Sequence, residues 1–220
     1  MNPSSPCPNG FDGRHPQISD KEQKLVSRAS RGDVEAFAKL VRAHSGLVRK
    51  VTLRMLGRET AEDASQEVWI RVWANMGNFR AESAFSTWLH RITVNTCLSL
   101  RQKESRRKEG EQGDEMPYMS EPGDDANPET SALNVELQQE IFDALGHIRE
   151  DHRAALVLRH MEGLSYAEIA EVLHVPNGTA KGWVSRGRAA MLVALAQERR
   201  NLGTSGRGSF RQHRRVGSSL

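Results

Sequence analysis

Cysteine, aromatic side chains and long apolar runs are all scarce in this sequence. Only 2 of the 220 residues are cysteines, and 5% are aromatic. Cys7 and Cys97 provide neither a disulfide framework nor a paired metal site, so we expect the protein to occupy a reducing compartment. We expect Cys97 to be a small core residue. No apolar run approaches the roughly 18 residues that span a membrane, and the N-terminus has no apolar signal core. We therefore expect a cytoplasmic protein.

The usual sequence signatures of catalysis are also missing. The chain has no Gly-rich phosphate loop, no nucleophile elbow and no cluster of histidines and carboxylates. These absences argue against an enzyme, and they predict neither a metal site nor a cofactor.

Charge is abundant and is segregated along the chain. The formal net charge is only +3, yet the segment 101–108 is mainly basic, residues 109–129 contain eight acidic side chains and no basic one, and the C-terminus is rich in arginine. The hydrophobic fraction of 37% is low for one large core. This distribution favours two small domains with polar connecting and terminal segments.

Apolar residues recur every three or four positions in two separate blocks, as in amphipathic helices. In the first block, Ser19, Asp33 and Thr60 each begin a predicted helix, Gly57 ends the second, and a fourth helix covers 84–103. The predicted fold is all-α: two small helical bundles, at 19–105 and 130–197, joined by an acidic flexible linker at 106–129. Residues 1–18 and 198–220 are predicted to be a disordered tail and a basic flexible tail.

Residues 162–191 have the pattern of a helix-turn-helix. Ser165 and Glu168 form a capping-box signature for a helix over 166–173. Pro176 interrupts that helix, and Asn177 can cap a second helix that begins at Gly178. The second helix carries cationic and hydrogen-bonding side chains, which suits a recognition helix in the DNA major groove. The alternative is a helical hairpin with a solvated basic face.

The order of these parts resembles the extracytoplasmic-function (ECF) sigma factors of bacterial RNA polymerase, over about residues 25–103 and 137–195. The matching strings are DVEAF at 33–37, AEDASQEVW at 61–69, FSTWLHRITVN at 85–95, EGLSYAEIA at 162–170 and GTAK at 178–181. The resemblance implies a factor that binds core RNA polymerase, recognises a two-part promoter and initiates transcription by melting the minus-ten element, with no catalytic chemistry of its own.

The resemblance also assigns roles to three sets of residues. The residues implied to contact core polymerase, at the β′ clamp helices, are Asp63, Gln66, Glu67 and Arg71. Those implied to capture the non-template single strand of the minus-ten element are Asn78, Phe79, Arg80, Ser83, Arg91, Asn95 and Arg101. Those implied to read the duplex minus-thirty-five element are Thr179, Lys181, Trp183, Ser185, Arg186 and Arg188. Phe79 is the best-placed ring to stack on an extruded base, whereas Phe85 and Trp88 fall on the buried stripe and are expected in the core.

The sequence departs from the family pattern at two places. Gly182 and Trp183 stand where relatives tend to have Ser and Arg, which puts the promoter sequence in doubt. Arg149 stands where the family commonly has Pro, and we expect only a local adjustment there. The acidic linker is implied to enter the RNA channel of the polymerase, where carboxylates would face basic walls; the alternative is a plain solubilising linker.

Other interpretations remain open at this point. The alternative for the predicted polymerase-contacting residues is an ordinary solvated helix face. A stand-alone helix-turn-helix regulator that binds duplex DNA as a dimer is the main alternative function. The resemblance further implies the β subunit of the polymerase and an anti-sigma factor as partners, although no residue pattern in the chain indicates the latter.

Overall fold

The computed structural model describes residues 20–81, 83–110, 137 and 139–205, which contain helices and no strand. The first bundle consists of α1 (Asp20–Ala29), α2 (Val34–Leu56), α3 (Arg58–Asn75), a short 3-10 helix (Met76–Asn78) and α4 (Phe85–Gly110). The second consists of α5 (helical residues 139–146), α6 (Glu150–His160), α7 (Tyr166–Leu173) and α8 (Asn177–Ser205). The predicted all-α fold is confirmed.

Local signals in the sequence set the ends of the helices in the first bundle. The Asp33 side chain accepts a hydrogen bond from the Ala36 amide at 3.0 Å, which caps α2. That amide and the Arg28 guanidinium hold the pKa of the Asp33 carboxyl below its usual value. At the other end of α2, Gly57 adopts a φ of 100° and terminates the helix, as predicted. Helix α3 begins at Arg58, two residues before the predicted Thr60.

The core of the first bundle is aliphatic and aromatic. Leu40, Val68, Val72, Met76 and Leu89 are almost completely buried at its centre. Phe85 and Trp88 are also buried, at 2% and 8% exposure, which confirms that they are core residues. The partly buried Phe37 packs on the rings of Trp69 and Trp73, at centroid distances of 6.1 and 4.8 Å.

The helix-turn-helix forms as its sequence signals indicate. Both halves of the capping box are present, since the Glu168 amide donates to Ser165 Oγ and the Ser165 amide donates to a Glu168 carboxylate oxygen. Helix α7 ends at Leu173, and His174 adopts the left-handed conformation with a φ of 53°. The position of Asn177 is a correction, because it is the first residue of α8 and not a cap outside the helix.

Helices α6 and α8 approach closely at a glycine. A Cβ atom at Gly187 would lie 2.7 Å from the carbonyl oxygen of His152, so the contact requires a residue without a side chain. Arg149 precedes α6 with a φ of −51°, which is the value a proline would impose, so the departure from the family pattern leaves the backbone conformation unchanged.

Two predicted boundaries shift. Helix α4 continues to Gly110, past the predicted domain end at 105, and α8 continues to Ser205, past the predicted end of the second bundle at 197. The predicted cap at Ser19, the predicted tail at 1–18, residues 111–129 of the predicted linker and residues 206–220 of the predicted C-terminal tail lie outside the described residues. Residues 198–205, predicted to belong to the flexible tail, are helical. None of the described helices combines the length and apolar character needed to cross a membrane.

The apolar core of the second bundle extends into the first bundle. Val51 and Met55 of α2, together with Val94 and Cys97 of α4, belong to the same buried cluster as second-bundle residues such as Leu145 and Leu164. Helix α7 packs on α4 and α6 packs on α2. Burial at this junction raises the pKa of the Cys97 thiol to about 12, which agrees with its predicted role as a core residue.

Candidate polymerase and DNA interfaces

The end of the 3-10 helix and the segment between it and α4 carry four of the seven residues predicted to capture single-stranded DNA: Asn78, Phe79, Arg80 and Ser83. Phe79 is half-buried, with its ring 5.9 Å from that of Phe85 and 5.0 Å from that of Trp88. The backbone turns sharply after it, because Ala81 adopts a positive φ of 55°. The turn is therefore anchored by an aromatic cluster that also forms part of the bundle core.

Two cavities flank this turn, and Phe79, Arg80 and Ser83 line both. One, of about 130 Å³, is also lined by Asn78 and Trp88, by Arg91 of α4 and by Glu171 of α7. The other, of about 400 Å³, faces Ser27 and other residues of α1. The structure thus brings Asn78, Phe79, Arg80, Ser83 and Arg91 together at one place.

The two remaining residues of this predicted set lie farther along α4. The side chain of Asn95 is exposed. Arg101 is engaged within the molecule: its Nη1 donates to the Met55 carbonyl oxygen at 3.0 Å, and its Nε lies 3.1 Å from the Glu150 carboxylate. In this conformation, the Arg101 guanidinium therefore lies in the junction and bonds to both bundles.

The outward face of α3 contains all four residues predicted to contact the polymerase. Asp63 and Gln66 are exposed, while Glu67 and Arg71 form an ion pair of 2.7 Å one helical turn apart. Two exposed apolar side chains lie on the same helix, Ile70 at 64% exposure and Trp73 at 39%. Sequence reasoning missed Ile70, whereas its spacing led us to expect Trp73 to be structural or to face a partner. The spacing of Asp63, Gln66, Ile70 and Trp73 at three and four residues places an apolar patch next to the charged one. Ile70 could have been found as an apolar residue off the buried stripe of α3.

The recognition helix presents an exposed cationic surface. Lys181, Ser185, Arg186 and Arg188 are all exposed along the first turns of α8, and Thr179 is partly buried near its start. The Lys181 ammonium lies 5.7 Å from the centre of the Tyr166 ring, so α7 supports its position. The predicted set is therefore on one helix, and all its members except the partly buried Thr179 and Trp183 are exposed.

Gly182 and Trp183 have structural consequences that the sequence did not reveal. The Arg186 guanidinium folds back over Gly182, where an added Cβ would lie 3.4 Å from it. In this position, Arg186 Nε donates to His152 Nε2 at 3.1 Å. Burial, and secondarily the charge of Arg186, lower the pKa of His152, which favours the neutral ring that accepts this bond. Trp183 is partly buried against the shared core, with its ring 6.5 Å from that of His152.

Two family models match the chain, one in each bundle. Residues 40–107 match Sigma-70 region 2, and residues 138–191 match Sigma-70 region 4. The first match contains the α3 face and the turn around Phe79, and the second contains the helix-turn-helix.

Similar proteins of known family cover most of the chain. It is 35% identical over 177 residues to the ECF RNA polymerase sigma-E factor of Haemophilus influenzae, a match that covers 78% of this chain and 93% of that protein. It is also 35% identical over 180 residues to the sigma-E factor of Escherichia coli (80% and 93% covered) and over 182 residues to the RNA polymerase sigma-H factor of Pseudomonas aeruginosa (80% and 94%). The chain therefore belongs to the sigma-70 family and, within it, to the ECF sigma factors.

Solved structures agree with this assignment at the level of the fold. The sigma factor RpoE of Bartonella quintana, solved with the anti-sigma factor NepR, gives a TM-score of 0.61 at 24% identity and covers 74% of this chain and 98% of its own. CnrH, solved with the cytosolic domain of CnrY, gives a TM-score of 0.56 at 22% identity and covers 81% and 99%. The chain is a transcription initiation factor of this family, so the alternative prediction, a stand-alone helix-turn-helix regulator, is rejected.

Proposed function

We propose that this ECF sigma factor divides promoter recognition between its two bundles. The first would bind core polymerase through α3 and capture the non-template strand of the minus-ten element, and the second would hold the duplex minus-thirty-five element. The observation that carries the proposal is the presence of two separate surfaces suited to DNA, a cationic recognition helix on one bundle and an aromatic-lined cavity with arginines on the other. The role requires no catalytic chemistry of its own, since the polymerase synthesises the RNA.

Capture of the opened strand would supply the free energy for melting. Stacking of a base on an aromatic ring contributes roughly 1–3 kcal/mol. Phe79 supports this role because it lines both cavities beside the turn while Phe85 and Trp88 hold its ring in place. Arg80 and Arg91, at the same site, would neutralise phosphates and position the strand without reading its sequence. Asn95 and Arg101 would extend this contact along α4.

Duplex recognition would use the exposed side of α8. Lys181, Ser185, Arg186 and Arg188 would divide between base edges and phosphates, and Thr179 would meet the backbone near the helix N-terminus. Because Trp183 is half-buried, only the exposed edge of its ring would contact the DNA, in a supporting role. The Arg186 guanidinium lies over Gly182, close to helix α8, and donates a hydrogen bond to His152. Once that hydrogen bond breaks, the guanidinium would be available to bind a phosphate.

The α3 face would bind the clamp helices of the polymerase β′ subunit. Asp63, Gln66 and the Glu67–Arg71 pair would set the register and speed of association, while Ile70 and Trp73 would supply buried apolar area. The acidic segment 109–129 would enter the RNA channel of the polymerase, and the β subunit would contact the second bundle. An anti-sigma factor is a further proposed partner, supported by the solved structure of the Bartonella quintana sigma factor RpoE, which has the same fold and was solved with the anti-sigma factor NepR. A cytoplasmic location stays a prediction of the sequence.

The division of labour is tested by variants of the recognition helix. Purified protein is added to core polymerase on a pool of genomic templates, and discrete transcript starts and co-purification with core are measured. Replacing both Lys181 and Arg186 with alanine should abolish minus-thirty-five-dependent initiation, because two cationic contacts are lost, while binding to core persists. The matched control replaces Lys39 and Arg42, two exposed basic residues of α2, and should keep activity. Loss of core binding in the recognition-helix variant would refute the proposed division, and the absence of any transcript start with the unmodified chain would refute the function.

A further inference from the structure

Arg186 of the recognition helix is bound to a histidine of a neighbouring helix. Its Nε donates to Nε2 of His152 on α6 at 3.1 Å. The flat guanidinium lies over Gly182, since Nη2, Nη1 and Cζ are 3.4, 3.5 and 3.6 Å from where a Cβ atom would stand there. A longer side chain at this position would take the place of the guanidinium. The side chain of Arg186 is thus folded back along α8, on the side that faces α6.

This hydrogen bond fixes the protonation state of His152. Arginine stays protonated in proteins, so its Nε–H can only donate, and the ring nitrogen that it meets carries no proton. The His152 ring is therefore neutral, with its proton on Nδ1. A second proton on Nε2 would remove the acceptor and set two cations 3.1 Å apart, so the two groups would separate.

The surroundings of His152 favour the neutral ring. The charged groups that act on it are Arg186 of α8, and Arg149 and Asp151 near the start of α6. Burial first, and then the two arginines, lower the pKa of His152, while Asp151 opposes them. Asp151 is itself paired with Arg149 at 3.0 Å, which offsets part of its charge. When the Arg186 guanidinium moves to another partner, one of these arginines is lost and the ring becomes easier to protonate.

A phosphate of duplex DNA would compete with His152 for the same guanidinium. Phosphates flank the major groove and lie beyond the surface of a recognition helix, so an arginine reaches them with its side chain extended. The hydrogen bond to His152 holds Arg186 in the opposite arrangement, against its own helix. The two partners therefore exclude each other.

We propose that His152 is a pH-dependent restraint on Arg186: the neutral ring withholds the guanidinium from the phosphates of duplex DNA, and the protonated ring releases it. Duplex binding by α8 is then coupled to uptake of a proton by His152. A phosphate contact carries no sequence information, so the restraint suppresses nonspecific binding. His152 is a positioning residue, because it acts on DNA only through Arg186. The inference rests on the proposed function, since it assumes that α8 binds duplex DNA.

Two replacements of His152 separate the hydrogen bond from the titration. His152→Gln keeps an acceptor, because the amide oxygen stands in for Nε2, but it does not titrate; His152→Leu removes the acceptor. Binding of the full chain to a random-sequence duplex is measured by fluorescence anisotropy at several salt concentrations, at about pH 7.5 and about pH 5.5. The slope of log affinity against log salt changes by about 0.9 for each phosphate bound.

The matched control is His160→Leu. It removes an exposed histidine of the same helix that lies near another recognition-helix arginine, Arg188, but the described residues show no hydrogen bond between the two. Its replacement should leave the slope at about pH 7.5 unchanged, because no arginine is released.

At about pH 7.5, His152→Leu should steepen the slope by about 0.9 and bind about fivefold more tightly at about 0.1 M salt, whereas His152→Gln should match the unmodified chain. At about pH 5.5, the unmodified chain should have a steeper slope than His152→Gln, by up to about 0.9. The other histidines titrate in both proteins and cancel in this comparison. In an Arg186→Gln background, His152→Leu should have no effect, since the released group is absent.

Equal slopes for the unmodified chain, His152→Leu and His152→Gln at both pH values would overturn the inference, as would an effect of His152→Leu that persists without Arg186. Far-UV circular dichroism checks that each variant is folded. If His152→Leu is not, the comparison of the unmodified chain with His152→Gln at about pH 5.5 decides alone. Absence of any duplex binding by the unmodified chain at low salt would refute the role of α8 itself, so failure of the proposed function and failure of the restraint give different results.

Discussion

Arg153 is the residue whose replacement we expect to destabilise the junction most. Its guanidinium is buried in α6, and its terminal nitrogens donate to three main-chain carbonyls: Met55 at 2.9 Å, Gly146 at 2.7 Å and Ile148 at 3.0 Å. The first bond crosses to α2 and the other two hold the turn between α5 and α6. Methionine matches the aliphatic part of the side chain but donates no hydrogen bond, so Arg153→Met removes all three bonds with little change in volume.

The expected loss follows from two opposing terms. Hydrogen bonds to a charged group each contribute about 1.5–3 kcal/mol, so the three together contribute about 4.5–9 kcal/mol. Burial of the guanidinium costs several kcal/mol, and its unpartnered Nε contributes to that penalty. The difference predicts that Arg153→Met lowers the free energy of unfolding by about 3 kcal/mol.

Urea denaturation followed by far-UV circular dichroism measures this change. Arg149→Met is the control, since the Arg149 side chain is 73% exposed and its replacement should change the free energy of unfolding by less than about 0.5 kcal/mol. A neutral or stabilising Arg153→Met would contradict the reasoning, because it would mean that the desolvation penalty outweighs the three bonds.

Two further predictions concern titratable groups. Burial raises the pKa of the Cys97 thiol to about 12. In a Cys7→Ser background, a thiol reagent at about pH 8 should therefore label the native protein at least about a thousandfold more slowly than the urea-unfolded chain. Comparable labelling rates would contradict the burial of Cys97. Burial first, and then neighbouring arginines, lower the pKa values of His152 and His160. The unfolded chain therefore binds protons at these two histidines more readily than the folded chain does. Their contribution to the free energy of unfolding should be fully present above about pH 6.5 and should fall as the pH drops below that value. Urea midpoints at about pH 7.5 and 5.5 should differ less in a His152→Asn variant; an unchanged difference would exclude this origin.

Local structure was predictable because its causes are local. The caps at Asp33 and Ser165 act within three residues, Gly57 ends α2 through its own backbone conformation, and the apolar spacing of each helix identifies its buried face. The surfaces on α3 and α8 were predictable for the same reason, since a helix fixes which side chains share a face. Ends of helices without a strong stop signal, such as those of α4 and α8, were placed several residues too early.

The junction between the bundles was not predictable from periodicity. Met55, Val94 and Cys97 have the same apolar character whether they face their own bundle or the other one, so their spacing identifies burial but not the partner. Arg101 and Arg153 carry the charge of phosphate ligands, yet here they donate to main-chain carbonyls at the end of α2. Only the three-dimensional arrangement assigns these side chains to the junction.

Reactivity of promoter thymines toward permanganate tests the central claim most directly, because the reagent modifies thymines only where the duplex is open. With core polymerase and the unmodified chain, we predict strong reactivity confined to the minus-ten region, and none with either component alone. A Phe79→Ala variant that still binds core should lose most of that reactivity, whereas Phe79→Tyr should retain it. Full reactivity with Phe79→Ala, or no reactivity with the unmodified chain on a promoter that it occupies with core, would contradict the account of strand capture.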